Sequence, residues 1–254
     1  MGELDIVGIG PGDRRYLTAE AEDALNRADL LCGYTLYVDL IRDDYPGKEI
    51  YSTPMTQEIE RCRYALSRAA EGARVTLVCS GDAGIYGMAG PVLEMAEEYP
   101  DVEINIYPGI TAAVAGAAIL GAPLMNDFAV ISLSDRLTPW EMIEKRLRGA
   151  ASGDFVICLY NPASRKRKEH LKKAVQILLE NKSTDTLCGY VRNIGRAEQQ
   201  HGILTLGELA SFEADMFTTV YIGNSRTEAV GGKMVALRGY ASKRKQFVEF
   251  SVYE

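Results

Sequence analysis

Residues that bind ligands or move protons collect where apolar, strand-like runs of this chain end. Residues 4–9 form such a run, and Gly10-Pro11-Gly12 follows it directly. Glycine allows a backbone to approach a ligand closely, because it has no Cβ atom. The spacing Gly-x-Gly-Pro-Gly differs from the Gly-x-Gly-x-x-Gly of dinucleotide binders, and Pro11 removes a backbone N–H that a pyrophosphate would use. Alone, this pattern predicts a tight turn after the first strand, and a ligand loop is the alternative.

Other predicted strands end in small or polar residues of the same kind. Ser80-Gly81-Asp82 opens a glycine-rich loop in which Asp82 either caps a helix or binds hydroxyl groups or a cation. Pro108-Gly109-Ile110-Thr111 follows another strand, and Tyr160-Asn161 and Arg192-Asn193 end two strands of the second half. In open α/β sheets, ligands bind beyond the carboxyl ends of the strands. These loops therefore predict a binding cleft rather than a set of independent turns.

The elements that must position these loops alternate between strands and helices. Strands are predicted at residues 4–9, 29–32, 74–79, 102–107, 128–133, 155–159 and 186–191. Helices are predicted at residues 18–25, 55–70, 91–98, 111–120, 139–147 and 165–180, with Thr18 and Thr138 as N-caps. This alternation favours a largely parallel sheet. Less regular short strands and one short helix are expected after residue 203, with a possible strand at residues 247–253.

One break in the alternation suggests the domain organisation. Gly121-Ala122-Pro123 interrupts the pattern and is the candidate linker. We therefore expect two α/β domains, with residues 1–122 carrying the glycine-rich loops and residues 123–254 completing the cleft.

Composition argues against several classes of function. The net charge of −7 argues against nucleic acid as a partner, and no apolar run reaches the roughly 18 residues of a membrane span. The acidic start, Met1 to Asp5, is unlike a signal peptide, and the five scattered cysteines favour a reducing cytoplasm. His170 and His201 are the only histidines, and both are expected on the solvated surface. No metal site and no histidine-based triad is therefore predicted.

Taken together, the motifs resemble those of the tetrapyrrole methylases, S-adenosylmethionine-dependent enzymes that methylate corrin and sirohaem precursors. The matching residues are Val7-Gly8-Ile9-Gly10-Pro11-Gly12 with Leu17-Thr18, Ser80-Gly81-Asp82, and Pro108-Gly109-Ile110-Thr111-Ala112-Ala113. The finer pattern, at Gly33-Tyr34, residues 80–88, residues 128–135 and Thr138-Pro139-Trp140, is similar to one subgroup. Members of that subgroup methylate carbon 17 of precorrin-3B or cobalt-precorrin-3 and contract the ring in cobalamin biosynthesis.

The resemblance implies two α/β domains of tetrapyrrole-methylase type, with S-adenosylmethionine in the cleft between them and usually a homodimer. It implies donor contacts at Pro11, Ser80, Gly81, Asp82, Ile85, Thr111 and Ala112, and at Tyr160, Asn161, Arg192 and Asn193 from the second domain. The substrate is an anionic tetrapyrrole, and the candidate partners for its carboxylates are Arg14, Arg136, Arg165 and Lys166. The subgroup leads us to expect a histidine where Asn126 stands. Asparagine cannot accept a proton near neutral pH, so we expect Asn126 to position the ring through its amide.

Methyl transfer from a sulfonium is an in-line displacement, which needs alignment of the reacting atoms more than a protein nucleophile. Ring contraction also requires a proton to leave an oxygen on the ring. Asp135 with Ser134 beside it is the candidate acid–base group, and an ordinary surface carboxylate is the alternative. Two other functions remain open. One is a precorrin methyltransferase that acts at a different ring carbon, and the other is a non-catalytic tetrapyrrole-binding protein.

Overall fold

The chain forms two compact units in a computed structural model that describes residues 2–164 and 167–240. The first unit contains the described residues up to Ala112 together with Gly195–Ala197, and the second contains Ala113–Ile194 and the described residues from Glu198 onward. The division thus falls at Ala112/Ala113 rather than at 122/123. The Tyr221 hydroxyl donates to the Ala113 carbonyl at 2.9 Å, so the helix that precedes the expected linker packs within the second unit.

The first unit is built around a five-stranded parallel sheet with the order β3-β2-β4-β1-β5. Its strands are β1 (Gly2–Gly8), β2 (Leu30–Tyr34), β3 (Glu49–Thr53), β4 (Arg74–Cys79) and β5 (Val102–Tyr107). Its helices are α1 (Ala19–Arg27), α2 (Thr35–Val38), α3 (Glu58–Ala70) and α4 (Ala89–Met95), with 3-10 turns at Arg14–Tyr16, Arg42–Asp44 and Ala96–Glu98. The predicted N-cap of α1 is confirmed, because Thr18 Oγ1 accepts the Ala21 N–H at 3.2 Å.

The second unit contains a five-stranded mixed sheet with the order β10-β9-β11-β8-β7 and a three-stranded sheet with the order β12-β13-β6. The strands are β6 (Gly121–Ala122), β7 (Phe128–Ser132), β8 (Val156–Tyr160), β9 (Leu187–Arg192), β10 (Gln200–Thr205), β11 (Thr218–Ile222), β12 (Thr227–Val230) and β13 (Lys233–Ala236). The helices are α5 (Ala112–Leu120), α6 (Trp140–Ser152), α7 (His170–Leu178) and α8 (Leu206–Leu209). Strands β7 and β8 are parallel, whereas β11 is antiparallel to both β8 and β9. The carboxyl ends of β7, β8 and β9 therefore lie at the same edge.

Three predicted helix starts differ from the structure. Helix α3 begins at Glu58 and not at residue 55. Helix α6 begins at Trp140 with Pro139 as its N-cap, and no side chain caps it, so the predicted Thr138 cap is wrong. Helix α7 begins at His170 and not in the basic segment before it. Residues 165–166 and the predicted strand at residues 247–253 lie outside the described residues.

Apolar residues cover both faces of the parallel sheet of the first unit. Leu4 and Ile6 of β1 belong to one buried cluster, while Val7 belongs to another with Leu25 of α1. This burial on both faces is typical of parallel sheets between helices. A third cluster fills the second unit, where Leu133 and Leu147 are completely buried. Among the described residues, no helix combines the length and the apolar character that crossing a membrane requires.

The cysteine side chains belong to these cores. All five are free and buried, as the sequence predicts for Cys79 and Cys158. Burial raises the pKa of the Cys32 and Cys79 thiols to about 12 and that of Cys62 to about 11. Thiolates are the reactive form, so these thiols are inert in the folded protein.

We therefore expect iodoacetamide at pH 8 to label none of the five cysteines in the folded protein and all five in guanidinium chloride. Mass spectrometry of the intact chain gives the number of labels directly. Rapid labelling of any cysteine without denaturant would contradict this expectation.

Candidate functional site

Three loops of the first unit meet beyond the carboxyl ends of β1, β4 and β5. Gly10 and Gly81 join the first two loops, since each N–H donates to the carbonyl of the other, at 3.1 and 2.7 Å. Gly109 of the third loop lies so close that a Cβ atom on it would be 2.1 Å from the Gly81 oxygen and 2.6 Å from the Gly8 carbonyl carbon. A side chain at Gly109 would thus force the backbones apart.

The Asp82 carboxylate fastens two of these loops together. Its Oδ1 accepts the N–H groups of Gly84 at 2.8 Å and Ile85 at 3.0 Å, within its own loop. Its Oδ2 accepts the N–H of Gly109 at 2.9 Å. The helix that follows begins only at Ala89, so the alternative of a simple helix cap is wrong.

The other predicted donor-binding residues of the first unit lie in the same three loops. Pro11, Gly81 and Thr111 are buried and Ser80 and Ala112 are half-buried, whereas Ile85 has 41% of its surface exposed. Tyr86 has a left-handed backbone with φ of 54°, which side chains rarely adopt. The edge thus presents backbone groups together with the exposed side chains of Ile85 and Tyr86. Such a surface suits a small ligand with both polar and apolar parts.

At the corresponding edge of the second unit, β7 and β8 present hydroxyl and amide groups. Ser132 Oγ accepts the Asn161 amide N–H at 3.0 Å and the Ser134 backbone N–H at 3.2 Å. Asn161 has a left-handed backbone with φ of 53°, and the Tyr160 hydroxyl accepts the Ala113 N–H at 2.7 Å. These contacts fix the side chains that follow both strands.

Beside them lies an ionic cluster formed by Ser134, Asp135, Arg167 and His170. Arg167 Nη1 donates to Ser134 Oγ at 2.6 Å and is 3.4 Å from Asp135 Oδ1. His170 Nε2 is 3.6 Å from Asp135 Oδ2, and its Nδ1 is 2.8 Å from the Leu133 carbonyl oxygen. The Asp135 side chain keeps 41% of its surface exposed, so it can meet a substrate.

The sequence interpretation of His170 as a solvated surface residue is wrong. The residue is only 7% exposed, because the first turn of α7 packs it against the loop after β7. His201 is exposed, as predicted. Arg167 was not identified from the sequence. Arg165 and Lys166 were selected from the same basic run, and these two residues lie outside the described residues. Among the described residues, no group of three or more His, Cys, Asp and Glu side chains is arranged to hold a metal ion.

Two other candidates lie apart from this cluster. Asn126 precedes β7, and its amide donates to the Leu237 carbonyl at 3.2 Å. Asp135 follows the same strand at its other end, and the strand between them, Phe128–Ser132, alone spans about 13 Å at the usual rise. Arg14 is exposed and forms ion pairs with Glu22 and, at 3.9 Å, with Asp44. Arg14 thus has partners of its own within the first unit.

Arg192, the last residue of β9, and Asn193 after it are held by hydrogen bonds within the second unit. Arg192 donates to the Glu213 carbonyl at 2.6 Å and to Thr218 Oγ1 at 3.3 Å, and it pairs with Asp215 at 3.3 Å. Asn193 has φ of 53°, and its amide donates to the Glu198 carbonyl at 3.4 Å. Arg136 is exposed in the loop that carries Asp135.

Sequence comparison identifies the family. The profile described as Tetrapyrrole (Corrin/Porphyrin) Methylases matches residues 3–210. The chain belongs to this family. The matched range contains the close contact of Gly8, Gly10, Gly81 and Gly109 in the first unit, here called the glycine junction, and the ionic cluster of the second unit. The resemblance inferred from the motifs is therefore confirmed.

Curated relatives and solved structures agree with this assignment. A Probable cobalt-factor III C(17)-methyltransferase of Salmonella typhimurium is 46% identical over 238 residues, which are 93% of this chain and 99% of that protein. A Precorrin-3B C(17)-methyltransferase of Sinorhizobium sp is 40% identical, with 90% of this chain and 91% of that protein covered. The crystal structure of the methyltransferase CobJ matches with a TM-score of 0.87 at 39% identity, covering 93% of this chain and all of that one.

A more distant structure shares the fold. It is a uroporphyrin-III C-methyl transferase from Thermus thermophilus in complex with S-adenosylhomocysteine, with a TM-score of 0.70 at 21% identity over 87% of this chain and 97% of that one. The predicted α/β fold of tetrapyrrole-methylase type is therefore confirmed, and the protein is a methyltransferase.

The glycine junction gives a prediction on stability. Gly109→Ala should lower the free energy of unfolding by at least about 2 kcal/mol, because the added Cβ must displace the Gly81 carbonyl. Gly90→Ala is the matched control, since a Cβ there meets no atom within 4 Å and helix α4 gains a better helix former. Urea unfolding of both variants measures the difference. Equal stability of the two would contradict the close contact.

Proposed function

We propose that this tetrapyrrole methylase transfers a methyl group from S-adenosylmethionine to carbon 17 of precorrin-3B or its cobalt-containing counterpart and contracts the ring, in cobalamin biosynthesis. The observation that carries the proposal is the 46% identity with a relative named as a probable cobalt-factor III C(17)-methyltransferase, because the match covers 99% of that protein. The loops of the first unit and the ionic cluster of the second supply the two kinds of chemistry that the reaction requires.

The first-unit loops fit the methyl donor. When bound, S-adenosylmethionine supplies a methyl group already activated on a sulfonium. The chain's part is therefore to bind, align and exclude water. A Cβ atom on Gly81 would meet Thr111 Cα at 3.7 Å, which is an ordinary contact, so it is the φ of +70° that disfavours a side chain there. Because Gly81 has no side chain, the loops leave room for the donor at this position. The exposed Ile85 side chain offers it an apolar contact.

The second-unit cluster fits the proton transfer of ring contraction. Asp135 carries a partly exposed carboxylate, and a general base must reach the proton directly or through one water. In the proposed step, the substrate O–H bond breaks, Asp135 takes the proton, and the oxygen electron pair forms the carbonyl bond. The C–C bond between the carbinol carbon and the migrating ring carbon breaks, and its electron pair forms the new bond to the adjacent ring carbon. That adjacent carbon in turn loses its bond to a substrate oxygen, which leaves as a carboxylate. Ser134 accepts a hydrogen bond from Arg167, which leaves its own O–H free to donate to the substrate.

The anionic substrate also needs cationic partners. Arg136 is the candidate that is exposed beside Asp135, so it can bind a substrate carboxylate there. Arg14 can bind a substrate carboxylate only if it gives up its ion pair with Glu22. Asn126 remains a proposal, and on the second unit alone it would contact a part of the ring far from Asp135.

Two measurements distinguish the proposal from its alternatives. The protein and donor are incubated with precorrin-3B and with the cobalt-containing precursor. Mass spectrometry of the product should show a gain of one methyl group, and its NMR spectrum should show that group on carbon 17 and a contracted ring. Methylation at another carbon would identify a different precorrin methyltransferase. Calorimetric titration with S-adenosylhomocysteine tests for a non-catalytic tetrapyrrole binder, which has no need to bind the donor product.

Asp135→Asn should reduce ring contraction at least about 100-fold, because a general base typically contributes a factor of 10² to 10⁴. Its affinity for S-adenosylhomocysteine should be unchanged, since the donor loops belong to the first unit. Asp127→Asn is the matched control, as Asp127 is an exposed carboxylate before β7. An Asp135→Asn variant that contracts the ring at the parental rate would show that the proton acceptor is another group.

We also infer that the protein is a cytoplasmic homodimer. Free, buried cysteines support a reducing compartment. The exposed Leu36 in α2 and Leu40 after it offer apolar surface to a second copy. A sedimentation mass near the 27.9 kDa of one chain at micromolar concentration would overturn the dimer.

A further inference from the structure

The buried imidazole of His170 has two nitrogens in different surroundings. Its Nδ1 lies 2.8 Å from the Leu133 carbonyl oxygen. A carbonyl can only accept a hydrogen bond, so Nδ1 carries the hydrogen and donates it. This bond fixes the plane of the ring and leaves Nε2 on the opposite side, facing the Asp135 carboxylate at 3.6 Å.

The ring is also held through its face. The centroids of the Trp140 and His170 rings are 4.6 Å apart, and the two ring planes are inclined at 51°. The indole is in turn held by Glu144, whose Oε1 accepts the Nε1–H at 2.7 Å. With one nitrogen bonded and one face packed, the imidazole has a single defined orientation.

Asp135 therefore faces a nitrogen at each oxygen, and the nitrogen of His170 can donate to it only in the imidazolium form, in which both ring nitrogens carry hydrogen. Arg167 lies at Oδ1 at 3.4 Å, and His170 lies at Oδ2 at 3.6 Å. Arg167 also donates a hydrogen bond to Ser134, so its guanidinium contacts two side chains at once. The contact from His170 comes from the more rigid group, because a guanidinium has a long, flexible stem and the imidazole here is buried.

We propose that His170 is a positioning residue, which holds the Asp135 carboxylate in the orientation from which it accepts the substrate proton. The proposal rests on the proposed function, since it assigns His170 a part in the same ring contraction. In this role, His170 acts through Asp135 and does not itself contact the substrate. It also explains why the imidazole presents a nitrogen, rather than a carbon edge, to that carboxylate.

Two substitutions separate this role from a purely structural one. The amide nitrogen of asparagine stands as many bonds from Cβ as Nδ1, so His170→Asn retains a donor for Leu133 and removes the group that faces Asp135. The amide nitrogen of glutamine corresponds to Nε2, so His170→Gln retains a donor for Asp135 and loses the bond to Leu133. Each variant thus keeps one of the two contacts.

With precorrin-3B and S-adenosylmethionine, we expect His170→Asn to lower kcat for ring contraction at least about 10-fold with KM unchanged, and His170→Gln to recover part of the loss. An Asn variant with parental kcat, beside a Gln variant that is destabilised and inactive, would overturn the proposal and leave only a structural role. A rise in KM without a fall in kcat would also overturn it. The control Asp127→Asn should leave both constants unchanged.

A second measurement does not depend on activity. The chain has only two histidines, so ¹H–¹⁵N imidazole spectra of the labelled protein contain two ring systems, with the exposed His201 as internal reference. Asp135→Asn should shift the Nε2 resonance of His170 and leave His201 unchanged. An unchanged His170 spectrum would overturn the proposed contact. Shifted resonances in a protein that turns over neither precursor would instead refute the proposed function and leave the contact intact.

Discussion

The close contact between the loops after β1, β4 and β5 is the constraint on which the first unit's ligand-binding edge depends. Gly8, Gly81 and Gly109 bring three backbones together, and the Asp82 carboxylate bonds to N–H groups on two of the loops. A hydrogen bond to a charged group contributes about 1.5–3 kcal/mol, more than one between neutral groups. This carboxylate therefore contributes substantially to the shape of the edge, independently of any contact with a ligand.

The two aspartates that the sequence singled out have opposite surroundings. Both carboxylate oxygens of Asp82 accept hydrogen bonds from backbone N–H groups, and these groups neither move far nor change protonation. Asp135 faces the side chains of Arg167 and His170 and keeps part of its surface open. A carboxylate saturated by backbone donors is suited to holding structure. One that is partly open and held by side chains is suited to proton transfer.

The sequence predicts the strands of the first unit and its loops well, because glycine spacing and apolar runs are local signals. Short β3 was not predicted, and the antiparallel β11 follows from packing that no local pattern contains. His170 was misinterpreted for the same reason. Its neighbours Lys168, Glu169 and Lys172 are charged, whereas its burial depends on Leu133 and Trp140, which are distant in sequence. The pairing of Arg167 with Asp135 also requires the tertiary fold.

The glycine junction has an evolutionary consequence. When a core residue is replaced by a larger one, the replacement of a neighbour by a smaller residue often compensates for the added volume. No such compensation is available where Gly8, Gly81 and Gly109 meet, because each partner is already the smallest residue and the atoms in contact are backbone atoms. A second substitution among the three positions therefore cannot relieve the clash that a side chain at Gly8 or Gly109 would cause. Lineages that diversify their substrates are expected to do so elsewhere, in side chains such as those of the second unit's edge.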